Sequence, residues 1–255
     1  MKRLFAVILL SCLLPAACLA APEGIYLSDT PHLQLSFELV DSPYPKGEEM
    51  GPVIMRMTAP NGQPLHFLTW MTSDLVVHSA DVNFDGADDL AVMVSSGATN
   101  SVYRLFVKQG ERYIAVDDGQ EEGLFNPVLY PEFGLVESQG TSGLAGALHE
   151  NILFKWEGTR LVPVRRAVCE NEQTTSFQND AYTVTDWFNV LRSRVWDYTV
   201  AQHGDPLVLF DEIYDMNALG MEEGYLDFYQ REQDALWQGM REAMEPQGRI
   251  DLPAF

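Results

Sequence analysis

Asp81-Val82-Asn83-Phe84-Asp85-Gly86-Ala87-Asp88-Asp89-Leu90 is the stretch on which the reading of this chain turns. Asp81, Asn83 and Asp85 occupy alternate positions 1, 3 and 5, and on a curling loop such side chains converge on one point. Gly86 at position 6 permits the bend that holds the oxygens together. Ala87 at position 7 supplies a backbone carbonyl, and Asp89 at position 9 closes the shell directly or through water. All the donors are hard oxygens, with no His or thiol, so the pattern predicts Ca²⁺ rather than zinc or copper. Asp88 is placed outside the shell. Position 12 is Val92, where a helix-loop-helix sensor would carry a bidentate Glu. The flanks, Leu75-Val76-Val77 and Leu90-Ala91-Val92-Met93-Val94, read as strands. The site is therefore expected on a strand-loop-strand unit, where the ion would hold together carboxylates that otherwise repel. A metal-free Asx-rich hairpin turn is the competing reading of the same residues.

Outward from this loop the chain continues as short strands from Ile25 to Arg166. Leu33 to Leu39 alternates apolar and polar residues with the period of a half-buried strand. Val53–Met57, Asp74–His78, Leu90–Val94, Val102–Val107, Tyr113–Val116, Phe133–Val136, Asn151–Trp156 and Leu161–Val164 are further candidates. Pro60-Asn61-Gly62 marks a turn, and Gln109-Gly110-Glu111 and Glu157-Gly158-Thr159 are hairpin signals. Short strands at this spacing suggest a meander, barrel or propeller.

Beyond Cys169 the character changes. Glu170 to Ala181 is polar and lacks an apolar period. Trp187, Leu191, Val195 and Tyr198 are spaced for a helix over Val184 to Val200. Leu226, Tyr229, Gln233, Leu236, Trp237, Met240 and Met244 are spaced for another over Leu226 to Met244. These aromatic stripes are read as core packing. The division expected is a leader over 1–20, a calcium-binding β-domain over 21–168 and a mainly helical extension over 169–255. The fold class is mainly β: a propeller-like antiparallel meander followed by an α-helical C-terminal extension.

The leader reading rests on Lys2 and Arg3, the apolar run Leu4 to Leu14, Pro15, and small residues up to a Cys18-Leu19-Ala20 cleavage site. That run is too short to span a bilayer as a helix. The chain is thus expected to be periplasmic or secreted. Leu9-Leu10-Ser11-Cys12 and the surroundings of Cys18 leave lipidation open as an alternative. Without the leader only Cys169 remains; no internal disulfide is available, and the thiol is expected to be buried.

The chain carries 16 basic and 37 acidic residues, a formal net charge of −21. Such a surface disfavours nucleic acid and anionic lipid and favours cations and basic proteins. No catalytic residue is assigned. Gly140-Thr141-Ser142-Gly143 lacks the spacing of a nucleophile elbow and reads as a tight loop. His149 and Glu150 are adjacent, so on a strand they point to opposite faces. His32, His66, His78 and His203 have no metal-ligand spacing.

The loop followed by Leu90-Ala91-Val92 resembles the calcium loop of FG-GAP and integrin-type β-propeller repeats. A wider likeness spans about Leu75 to Arg166. It rests on the loop together with Ser101 to Phe106, Phe125-Asn126-Pro127, Gly140 to Gly146 and Phe154 to Arg165. Over this region the chain resembles a family of exported bacterial proteins with a calcium-bearing, propeller-like β-domain. That family includes an immunity protein against a type IV-secreted, lysozyme-like peptidoglycan hydrolase. The resemblance implies that fold, the calcium ligands Asp81, Asn83, Asp85 and Asp89, and a protein partner of the cell-wall hydrolase class. No inhibitory contact residue of the family matches a position here, and Cys169 to Phe255 lies outside the likeness. An envelope enzyme acting on carbohydrate through acidic residues, and a structural component of an envelope complex, are the alternative readings.

Overall fold

The computed structural model describes residues 22–41, 51–71, 73–142, 147–172, 175–178, 181–184, 190–202, 205–215 and 223–240. The expected leader with Cys12 and Cys18, together with Gly143 to Gly146, Trp187, His203, Met244 and the tail from Pro246, lies outside them. In chain order the elements are β1 (Ile25–Tyr26), a 3-10 turn (Leu27–Asp29), β2 (His32–Leu33), β3 (Phe37–Asp41), β4 (Val53–Thr58), β5 (Pro64–Thr69) and β6 (Val76–Ala80). Then follow β7 (Asp89–Ser96), β8 (Ser101–Gln109), β9 (Arg112–Ala115), β10 (Leu124–Phe125), β11 (Val128–Tyr130), β12 (Leu135–Thr141) and β13 (His149–Glu157). The chain continues through β14 (Arg160–Asn171), β15 (Thr175–Gln178), β16 (Ala181–Val184), β17 (Val190–Gln202), β18 (Asp205–Asp215) and α1 (Glu223–Trp237).

The described strands pair antiparallel into four open sheets, none closed into a barrel. One sheet has the order β1-β11-β12-β13-β14-β17-β18, a second β10-β8-β7-β6-β2 with β9 beside β8, a third β3-β4-β5, and β15-β16 is a separate hairpin. Three of these sheets and the helix stack as layers. Met55, Met57, Leu65 and Phe67 of the three-stranded sheet pack on Leu90, Val92 and Phe106 of the β6–β8 sheet. The opposite face of that sheet offers Ala91, Leu105 and Val107 to Val136, Ile152 and Phe154 of the long sheet. The run Leu90 to Val94 is apolar throughout because β7 is covered on both faces. Each large side chain buried here, such as the fully buried Phe154, contributes about 1.5–3 kcal/mol.

The hairpin signals hold. Gln109 pairs with Arg112 and Glu157 with Arg160, leaving two-residue loops. Gly110 and Gly158 take φ of 59° and 65°, which a side chain would strain. The strand expected over Leu33 to Leu39 is interrupted: β2 ends at Leu33, and β3 begins at Phe37 in a different sheet. Phe133 and Gly134 stand in the turn before β12, because Gly134 takes φ 60°.

The remaining face of the long sheet receives α1. Leu153, Val164, Ala167 and Val195 pack on Ala235, Leu236 and Trp237. Phe228 stacks on Tyr214 of β18 with ring centroids 5.2 Å apart, and Trp237 meets Tyr130 edge-on at 4.7 Å. The helix expected over Leu226 to Met244 is therefore present but runs from Glu223 to Trp237, with Gly239 at φ 72° just beyond it, and its aromatic stripe is core. Leu226 itself is 65% exposed, whereas Phe228 and Glu232 are buried.

The helix expected over Val184 to Val200 is corrected: Ala181–Val184 is β16, and Val190 onward is β17, which lies between β14 and the edge strand β18 of the long sheet. Leu191, Ser193, Val195 and Asp197 are buried, while the residues between them are partly exposed, an alternation of period two. Buried Ser193 and Asp197 break the apolar pattern that would have announced it. β14 likewise runs through Cys169 without a break, and β17 pairs with it. The chain after 168 therefore supplies strands as well as a helix. Cys169 is buried and free, as expected.

Candidate metal centre

The loop between β6 and β7 folds onto its own oxygens. Asp81 Oδ1 accepts the Asp85 amide at 3.0 Å, and Asp81 Oδ2 accepts the Gly86 amide at 2.9 Å. Asn83 Oδ1 accepts the Asp85 amide at 3.2 Å, while its Nδ2 donates to Asp85 Oδ2 at 2.9 Å. Asp85 Oδ1 accepts the Ala87 amide at 2.9 Å. Phe84 and Gly86 both have positive φ, 64° and 87°, and these two left-handed residues curl the chain. Asp81, Asn83 and Asp85 are thus gathered in one turn.

Asp89 plays a different part. It is fully buried. Its Oδ2 accepts the Val82 amide at 3.1 Å, and its Oδ1 accepts the Lys108 amide at 2.7 Å. Position 9 therefore ties the loop to the end of β8. Burial pushes the carboxyl up to about 6, with the neighbouring Asp85 charge adding to it and the backbone amides opposing. A carboxylate in this place is short of positive charge, and a divalent cation would supply it. Asn83 Nδ2 offers Asp85 only a partial positive charge.

The donor set suits calcium in kind: two loop carboxylates, an amide oxygen, a buried carboxylate and the Ala87 carbonyl. Among the described residues no three His, Cys, Asp or Glu side chains form a ready-made metal group. Asn83 and the Ala87 carbonyl fall outside a count of those residue types.

The other chemistry-bearing residues are spoken for by packing. His149 and Glu150 point to opposite faces of β13. His149 Nε2 is 2.6 Å from Glu232 Oε1, and Arg166 Nε donates to Glu150 Oε1 at 2.5 Å. His149 Nδ1 lies 3.1 Å from the Ala147 carbonyl. His149 Nδ1 thus faces a carbonyl oxygen and Nε2 a carboxyl oxygen, so both ring nitrogens are held by protein. Ser193 Oγ donates to the other oxygen of Glu232. The hydroxyl thus meets the carboxylate rather than the imidazole, which is not a nucleophile-base arrangement. Cys169 stands opposite both His149 and Ser193 in register, yet burial and the charges of Glu232 and Glu170 push its thiol up to about 12. That is the reverse of an activated nucleophile.

Beside this cluster Arg165 donates to the carbonyls of Ala235, Leu236 and Gln238 at the C-terminus of α1, and to Asp197 Oδ2 at 2.9 Å. These partners were not legible beforehand, since His149 and Glu232 lie 83 residues apart and meet only through the fold. Of the expected tight loop, Gly140 and Thr141 are instead the end of β12, and the Ser142 amide donates to the Leu148 carbonyl at 2.7 Å. Of the histidines read as scattered, His32 and His78 pair in register across β2 and β6 with ring centroids 6.3 Å apart. His78 Nδ1 lies 3.1 Å from the Thr30 carbonyl.

Comparison with protein-family models, with curated proteins and with solved structures gave no match. No helix among the described residues is long and apolar enough to cross a membrane.

Proposed function

We propose that the protein is an exported binding protein whose β-domain is held by one Ca²⁺ ion in the loop Asp81 to Asp89. Asp81, Asn83, Asp85 and Asp89 supply side-chain oxygens and Ala87 its carbonyl. The single observation that carries this reading is the convergence of Asp81, Asn83 and Asp85 over a buried Asp89 whose carboxyl is pushed up to about 6. The ion's role is structural: it fastens the β6–β7 turn to β8, through which Asp89 is already tied. On this reading the three main sheets are blade-like meanders of a propeller-like domain in the FG-GAP manner.

Its partner is a basic protein of the cell-wall hydrolase class, which the protein inhibits. The acidic excess of the chain supports this partner, because charge complementarity speeds encounter with a cationic surface. The test is the effect of the purified chain from residue 22 onward on a panel of basic, lysozyme-like hydrolases. Slowed turnover by at least one enzyme, reduced together with stability in Asp85→Ala, is the expected result. Full activity of every enzyme in the presence of excess protein contradicts it.

A further inference from the structure

A cavity of about 330 Å³ opens where β1, the 3-10 turn, β8 and β12 meet. This volume lies at the small end of the range for sites that take small molecules, about 300–1,000 Å³. Its wall contains no Lys, Arg, His, Asp or Glu side chain. An anion would therefore find no countercharge there.

Tyr103 lines this cavity and is only 2% exposed. Its ring is set edge-on against His78, centroids 5.7 Å apart. Among the described residues its hydroxyl has no hydrogen-bond partner. Burial raises the phenol above its ordinary range, with the Asp29 charge adding to it, so the group stays a proton donor. Ser101, two residues earlier on the same face of β8, brings a second hydroxyl without a partner among the described residues.

Opposite them stands Gln139. Its Nε2 donates one N–H to Glu137 Oε2 at 2.9 Å, and Oε1 is available as an acceptor. Asn126 keeps this wall rigid, because its amide is used entirely on protein. Oδ1 accepts the Ser101 amide at 2.8 Å, and Nδ2 donates to the carbonyls of Gln139 and Thr99. At the mouth, Tyr26 is 46% exposed and offers an aromatic face.

We propose that this cavity binds a small neutral polyhydroxy ligand, a single sugar unit. Hydroxyls that donate and accept, facing a lone amide acceptor, match a ring of adjacent hydroxyl groups. Tyr26 provides an apolar surface for the C–H face of such a ring. The site is separate from the calcium loop and stands whether or not that loop takes up metal.

Methyl glucoside, methyl galactoside and N-acetylglucosamine, titrated into the folded protein with ligand-observed NMR, test it. Inorganic phosphate serves as the anion control. Saturable binding of at least one sugar, with none of phosphate, is expected. Tyr103→Phe keeps the ring on His78 and removes only the hydroxyl, and it should weaken binding about 3- to 10-fold, the loss of one hydrogen bond. Ser101→Ala should act likewise, and unchanged circular dichroism and melting establish that both variants fold. The proposal is overturned by a lack of saturable binding for all three sugars, by equal binding of phosphate, or by unaltered affinity in both variants.

Discussion

Replacing Arg165 by Met removes the cation that joins the long sheet to the end of α1. Arg165 and Asp197 are 7% and 4% exposed. The guanidinium satisfies three helix-terminal carbonyls as well as the carboxylate. Methionine fills a similar volume but leaves Asp197 charged and unpaired except for Thr199, which donates to it from both its amide and its hydroxyl. Breaking a buried pair on one side costs about 3–5 kcal/mol, because the surviving charge stays desolvated. That is a large share of the stability of a domain, about 5–15 kcal/mol. Removing both charges in Arg165→Met with Asp197→Leu should restore most of the loss, since an apolar pair of like volume roughly replaces a buried ion pair.

Urea unfolding followed by tryptophan fluorescence measures the difference, with Trp237 of α1 as the local reporter. The Arg165→Met chain should unfold at markedly lower urea, with earlier proteolysis within α1. A single variant within about 0.5 kcal/mol of the parent, the scale of an ordinary surface change, would refute the role given to this pair. So would a double variant no more stable than the single one.

Asp89 gives a pH prediction. Its folded carboxyl lies at about 6, above the usual 3.8. The metal-free fold therefore binds this proton more tightly than the unfolded chain does. The penalty is absent below the unfolded value and complete above 6, about 3 kcal/mol at 1.36 kcal/mol for each unit. In chelator, Asp89→Asn should remove this part of the stability loss between pH 4 and 7 in denaturation curves. A parallel pH profile for variant and parent would contradict it. Glu232→Gln disturbs the buried hydrogen bonds to His149 and Ser193 and should cost about 1–3 kcal/mol. Urea unfolding should show the loss, and a variant as stable as the parent would count against the contact.

How much was legible in advance follows from which residues announced themselves locally. Gly110 and Gly158 declared their hairpins because a positive φ leaves few choices of residue. Asp81, Asn83 and Asp85 meet in one turn because alternate residues on a curling loop share one side. β17 was misread because Ser193 and Asp197 occupy core positions, so a helical spacing of Leu191, Val195 and Tyr198 outscored the true alternation. Those two polar residues are buried only because Glu232 and Arg165 arrive from distant parts of the chain. β5, which pairs with β4 over Val53 to Thr58, was missed because Pro64 and His66 sit on its exposed face. The cavity beneath Tyr103 had no linear signature, since its wall is assembled from four separate segments.

Titration of Ca²⁺ into the chelator-stripped chain from residue 22 onward, by calorimetry with a melting curve alongside, bears most directly on the metal centre. One ion should bind per chain, and Ca²⁺ at 100 times its Kd should add about 2.7 kcal/mol of stability. Asp85→Ala should abolish both effects. A folded parent that takes up no Ca²⁺, or one that Asp85→Ala leaves equally stabilised by it, contradicts the account.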